Sequence, residues 1–139
     1  MSQPVRVLLA EDNDVYAETV AELLGADPRI RVVDRARDGA EAVTLALRLR
    51  PHLVLMDLDM PVLDGVEATR RIRERCPDIR VVALTSSTDP DAARRIRLVG
   101  GSGFLRKDCP LDELAAAVVD APGLPSLPPR LDLASWMAA

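Results

Sequence analysis

A layered α/β fold, in which helices cover both faces of a parallel sheet, is what this sequence predicts, and three observations carry the prediction. Apolar runs of strand length recur at residues 5–10, 30–34, 53–56, 80–84 and 103–105. Stretches with helical periodicity lie between them. The runs are apolar on both sides, as expected of strands buried on both faces. At 139 residues the chain is long enough for one domain with a sizeable core. One Trp, one Tyr and one Phe leave that core to Val, Leu, Ile and Ala, since the hydrophobic share is still 48%.

The first strand, VRVLLA, leads into a helix over residues 15–24, with Val15, Thr19, Val20, Leu23 and Leu24 on one face and Glu18 and Glu22 opposite. Gly25 is its natural stop. After the second strand, a helix runs from Ala40 to Leu49 and ends at Arg50, because Pro51 disfavours helical geometry in the residue before it. The third strand ends in LMDLDMP, and the next helix begins after Asp64 and Gly65 and closes near Cys76 and Pro77. Behind the fourth strand, Asp89 is an N-cap with Pro90 at the first helical position. Pro110 repeats that device after the fifth strand, for a helix ending near Asp120. Four of the first eight residues of PGLPSLPPRLDLASWMAA are proline, so no helix forms there before about Leu131. The domain is therefore placed at residues 4–121, with 122–139 a linker or a docking tail. Leu131, Leu133, Trp136 and Met137 are apolar enough to dock.

Right-handed crossovers leave few topologies for such a chain. A flavodoxin-like (βα)5 three-layer sandwich with sheet order 2-1-3-4-5 makes strands one and three neighbours at the switch point, where open α/β sheets bind ligands at the strands' carboxyl ends. Asp12 and Asp57 converge there. Thr85 and Lys107, from the ends of strands four and five, approach the same crevice from one side.

Composition excludes several functions. A net charge of −4 and the scarcity of aromatic residues argue against gripping or stacking on nucleic acid. Cys76 and Cys109 sit in no CxxC pattern, and the N-terminus MSQPVRV lacks the apolar stretch of a signal peptide. Nothing approaches the ~18 uninterrupted apolar residues of a membrane span. These features place the chain in the cytoplasm, without membrane contact.

The polar strand ends carry the chemistry. Acids at the start of a helix ordinarily cap it, and for Asn13 and Asp14 that suffices. Glu11 and Asp12, two adjacent carboxylates at the mouth of the crevice, exceed that need. With Asp57 they supply hard oxygen ligands for Mg²⁺. Asp57 is a candidate nucleophile that accepts a phosphoryl group as an acyl phosphate, with the metal and Lys107 neutralising charge on the transferring oxygens. Thr85 offers a hydroxyl to a phosphoryl oxygen. His52, the only histidine, belongs to a loop at the far end of strand three. Arg94, Arg95 and Arg97 form a solvated helix face. Gly100, Gly101 and Gly103 make no GxGxxG, so no dinucleotide site is expected.

Taken together, Glu11 and Asp12, DLDMPVLDG from Asp57 to Gly65, Thr85, and GFLRKD from Gly103 to Asp108 resemble the receiver domain of bacterial two-component response regulators over roughly residues 4–120. The phrasing is most similar to receivers that carry a LuxR-type (NarL/FixJ-like) helix-turn-helix domain. The resemblance implies phosphorylation of Asp57 from a histidine kinase, with Mg²⁺ on Asp12, Asp57 and the backbone carbonyl of Asp59, and with Glu11 in support. It implies that Lys107 contacts the phosphoryl group, that Thr85 moves toward it, and that Phe104 is the switch aromatic. Asp59 and Ser87 would flank the phosphoryl group and tune dephosphorylation. Asp108 stands where many receivers have proline, so the family's cis bond after the lysine would here be a non-proline one, costing roughly 2.5–4 kcal/mol. The expected role is a signalling phosphoacceptor in transcriptional control, not an enzyme acting on another substrate. Its output would pass through the surface of the fourth helix, fifth strand and fifth helix, which could also form a homodimer, and without direct DNA binding by this chain. The alternative is a phosphorylation-independent pseudo-receiver acting as an interaction module.

Overall fold

A computed structural model describes residues 3–86 and 90–120. Among the described residues five strands alternate with five helices. They are β1 (Val5–Ala10), α1 (Asp14–Gly25), β2 (Ile30–Ala36), α2 (Gly39–Leu49), β3 (Leu53–Asp57), α3 (Gly65–Arg75), β4 (Arg80–Thr85), α4 (Asp91–Leu98), β5 (Gly103–Arg106) and α5 (Leu111–Val119). Every pairing is parallel and the order is β2-β1-β3-β4-β5, the flavodoxin-like arrangement expected. The expected boundary at Ala121 and the segment 122–139 lie outside the described residues, as do Ser87 and Asp89.

The period-2 geometry of the strands splits their apolar runs between two cores. Val7, Leu9, Leu53, Leu55, Val82 and Leu84 face α1 and α5, against Ala17, Val20, Leu24, Leu114 and Val118. Leu8, Ala10, Val54, Met56 and Val81 face α2 and α3, against Ala42, Leu45, Ala68 and Ile72. A third cluster of Leu58, Ala83, Ala92 and Ile96 seats α4, with Phe104 packed on it. β2 is the polar exception, with exposed Arg31 and Asp34 on a strand that has one neighbour. Its register against β1 shifts between Val7 and Leu8, which carries the strand on to Ala36.

Helix starts follow the short polar side chains. Asn13, Asp38 and Asp64 each accept the N–H three residues on and cap α1, α2 and α3. α1 departs from its expected face. Ala17, Val20 and Leu24 are buried, whereas Val15 is 75% exposed and Thr19 is exposed. The true stripe follows i, i+3, i+7 from the alanine, and Val15 falls on its solvent side. Pro90 and Pro110 occupy the cap positions of α4 and α5 rather than the first helical residue, neither with a side-chain cap bond. No cis peptide bond occurs among the described residues, so the bond between Lys107 and Asp108 is trans, contrary to the family's expected geometry. Cys76 and Cys109 are free thiols. No described helix is long and apolar enough to cross a membrane.

Candidate functional site

Strand ends deliver the polar residues to one edge of the sheet. Asp57 is the last residue of β3 and Thr85 the last of β4, and they are only 2% and 1% exposed. Glu11 prolongs β1 by one residue, its N–H donating to the Ala36 carbonyl at 2.9 Å, and it is fully buried. Asp12 follows it onto the surface. Lys107 comes just after β5, where its N–H donates to the Thr85 carbonyl at 2.8 Å and so extends the β4–β5 ladder.

The Lys107 ammonium lies 2.5 Å from Glu11 Oε1 and 3.2 Å from Asp57 Oδ2. The two Asp57 oxygens have different partners, because Oδ1 accepts the Asp59 N–H at 3.1 Å. Glu11 Oε2 accepts the Asn13 N–H at 3.0 Å. Burial pushes the Glu11 carboxyl up from 4.5 to about 7; the ammonium of Lys107 and the Asn13 N–H oppose this, and the charge of Asp57 adds to it. Burial acts to lower the Lys107 pKa, but its bond to Glu11 and the charge of Asp57 outweigh burial, and the net direction is up.

One carboxylate oxygen from each of Glu11, Asp12 and Asp57 lies within 4.8 Å of the others. The Lys107 ammonium pairs with Glu11 and Asp57, and Asp12 adds a third carboxylate to the cluster, which is therefore short of positive charge. A divalent cation would supply it. Hard oxygen donors with this deficit fit Mg²⁺, which takes one or two carboxylates and keeps several waters.

The loop between β3 and α3 is braced against the site by two glycines. A Cβ on Gly65 would stand 2.3 Å from the Asp57 carbonyl oxygen, and one on Gly39 would stand 1.8 Å from the Leu63 carbonyl oxygen. Between these contacts the chain reverses through a γ-turn, in which the Leu63 N–H donates to the Pro61 carbonyl at 2.8 Å and Val62 takes φ 70°. The loop between β1 and α1 is held from β2. Arg35 donates through Nε and Nη2 to the Glu11 carbonyl at 3.0 and 2.9 Å, and pairs with Asp14 at 2.8 Å. Arg37 pairs with the same carboxylate at 2.7 Å.

The structure thus brings together Glu11, Asp12, Asp57, Thr85 and Lys107. Asp59 is exposed and lines a groove of about 390 Å³ with Leu58, Asp64, Val66, Glu67 and Arg95. Phe104 is half-buried beside α4, paired across the ladder with Ala83. Ser87 lies outside the described residues. His52 is exposed, its Nδ1 accepting the Arg6 N–H at 2.9 Å at the opposite end of the sheet. Two participants escaped the sequence. Arg35 depends on the shifted register of an edge strand, which leaves no local signal. Tyr16, whose ring centroid lies 4.8 Å from the Lys107 ammonium, had one in being a helical turn beyond Asp12.

Residues 7–119 match the response regulator receiver domain family. The DNA-binding transcriptional activator DevR/DosR of Mycobacterium tuberculosis is 39% identical over 116 residues, 84% of this chain and 54% of that protein. A protein-glutamate methylesterase/protein-glutamine glutaminase of Myxococcus xanthus is 51% identical over 84 residues, 60% of this chain and 24% of the relative. Among solved structures, the signal receiver domain of the response regulator NarL from Mycobacterium tuberculosis shares the fold with a TM-score of 0.82 at 30% identity. That match covers 85% of this chain and 95% of the other. The chain spans about half the length of the transcriptional regulators it matches and about a quarter of the methylesterase.

Proposed function

The chain belongs to the response regulator receiver domain family, of the LuxR-type kind, and on that premise we propose that Asp57 accepts a phosphoryl group from the phosphohistidine of a partner histidine kinase. The observation behind the reading is Asp57, 2% exposed at the end of β3, with Lys107 at 3.2 Å and two further carboxylates beside it. In the transfer an Asp57 carboxylate oxygen forms the new O–P bond as the P–N bond of the donor breaks, and the imidazole leaves with the electron pair of that bond and takes up a proton. Lys107 gives up the Asp57 and Glu11 oxygens for those of the phosphoryl group. A Mg²⁺ held by Asp12, Asp57 and the backbone carbonyl of Asp59, with Glu11 in support, would add positive charge against the transferring oxygens. The chain assists only its own phosphorylation and dephosphorylation.

Thr85 and Phe104 then read the phosphoryl group. Thr85 lies on the same face of β4 as Ala83, which pairs with Phe104, so a hydroxyl drawn toward Asp57 makes room along the side where the aromatic packs. The altered surface is that of α4, β5 and α5, which engages a partner or a second copy of the chain in transcriptional control. Acidic overall, this chain does not itself bind specific DNA. Asp59, exposed beside the site, and Ser87 tune how long the phosphoryl group persists; Asp59→Asn changes the dephosphorylation rate if so, and equal rates remove that role.

Intact-mass measurement after incubation with acetyl phosphate and Mg²⁺ tests the assignment. One phosphoryl group adds to the wild type, and none adds to Asp57→Ala or in the presence of a chelator. Incorporation by Asp57→Ala at the wild-type rate rules out Asp57, and a wild type that takes up nothing leaves the phosphorylation-independent module standing.

A further inference from the structure

An ammonium has three N–H donors and no preferred single partner. Two sides of the Lys107 ammonium face carboxylates, at 2.5 Å for Glu11 and 3.2 Å for Asp57. Another lies over the ring of Tyr16, 4.8 Å from its centroid, within the range where the negative face of an aromatic ring attracts a cation. That ring rests against the core. The Tyr16 N–H is the one capped by Asn13 Oδ1 at 2.9 Å, and the side chain packs against the core beneath α1 and α5. Burial pushes its hydroxyl up to about 12, so the ring stays neutral.

We propose that Tyr16 is a positioning residue for Lys107, its ring face serving as the anchor that keeps the ammonium in the crevice when the carboxylate contacts are exchanged for phosphoryl oxygens. The inference rests on the proposed acceptor role of Asp57. The carboxylate contacts must loosen as Asp57 reacts, whereas the ring contact need not. Lys107 is only 19% exposed, and without the ring its flexible stem would be free to carry the charge toward water. Only the ring face is needed for this, so phenylalanine should replace tyrosine and leucine should not.

Composition makes the test unambiguous, because Tyr16 is the only tyrosine of the chain and Lys107 the only lysine. Protons held over an aromatic face are shielded by its ring current, so the ε-methylene resonance of the single lysine should lie upfield of its free position in the wild type and in Tyr16→Phe, and return to that position in Tyr16→Leu. With acetyl phosphate and saturating Mg²⁺, Tyr16→Leu should lower the maximal phosphorylation rate roughly fivefold, with the donor concentration for half-maximal rate little changed, and Tyr16→Phe should restore the rate. A lysine methylene at its free position in the wild type, or wild-type kinetics in Tyr16→Leu, overturns the proposal. The resonance is read on unphosphorylated protein, so it judges the anchor separately. A wild type that takes no phosphoryl group overturns the acceptor reading instead.

Discussion

Val62 shows how one residue bears the cost of shaping the site. It is β-branched, lies at φ 70° and is 82% exposed, so its side chain gains almost nothing from packing while its backbone occupies a region that such residues avoid at a cost of roughly 1–3 kcal/mol. The γ-turn it centres lets the chain turn back so that Gly65 meets the Asp57 backbone. Val62→Gly should therefore stabilise the protein by about 1 kcal/mol, the relief of strain being partly offset by the greater freedom of glycine in the unfolded chain. Gly65→Ala should do the reverse, destabilising by at least 1–3 kcal/mol, since its methyl would overlap the Asp57 carbonyl. Urea denaturation of both variants checks the pair, and an unstable Val62→Gly would show that the turn is not strained. Residue types announced Asp57, Thr85 and Lys107, because a polar group closing an apolar run stands out in one dimension. Val62 gave no such sign, since a valine in a loop looks like any other until its backbone angles are known.

At the scale of elements, the lightly seated α4 is the part best suited to move. It has eight residues, its N-cap Pro90 makes no side-chain cap bond, and Ala92, Ala93 and Ile96 are its buried side chains. Two of those three are alanines, so sliding the helix disturbs little apolar surface. Thr85→Ala should leave phosphorylation of Asp57 largely intact but remove the phosphorylation-dependent change in amide exchange across α4, β5 and α5; survival of that change in the variant would exclude Thr85 as the switch. In the same experiment α4 should exchange faster than α1 or α2 in the unmodified protein. Element existence and order were legible because five apolar runs separated by helical periods admit few parallel topologies. Orientation about a helix axis was less so. In α1 the valine at position 15 outweighed the alanine at 17 on hydrophobicity alone, yet small Ala17 is what fits against the sheet. The caps of α4 and α5 slipped by one position. For α5 the reason is that proline fixes φ but leaves ψ free to be extended, as at Pro110 with ψ 141°; Pro90 has a helical ψ of −18°, and its cap position has no such account.

For the molecule as a whole, the acidic crevice couples folding to protons and would couple it to a metal held there. Glu11 titrates near 7 in the folded chain against 4.5 ordinarily, so folding takes up a proton between those values. A raised carboxyl of this kind adds stability that is fully present below 4.5 and is lost as pH rises through about 7. Asp14, Asp27 and Glu67, whose arginine partners lower their pKa, contribute with the opposite sign, but that contribution is complete before about pH 6. In chelator, thermal stability should accordingly fall between about pH 6 and about pH 8, by no more than a few kcal/mol because the Lys107 ammonium beside Glu11 opposes the shift. A Mg²⁺ held here would bind the deprotonated carboxylates, so its stabilisation should grow over the same interval and flatten the decline. Glu11→Gln should remove most of the slope in chelator, because a neutral amide has no proton to lose. Thermal melts of both proteins across this range, with and without Mg²⁺, decide the matter. An equal slope in Glu11→Gln would place the titration elsewhere, and a Mg²⁺ effect independent of pH would mean that the ion is not held by these carboxylates.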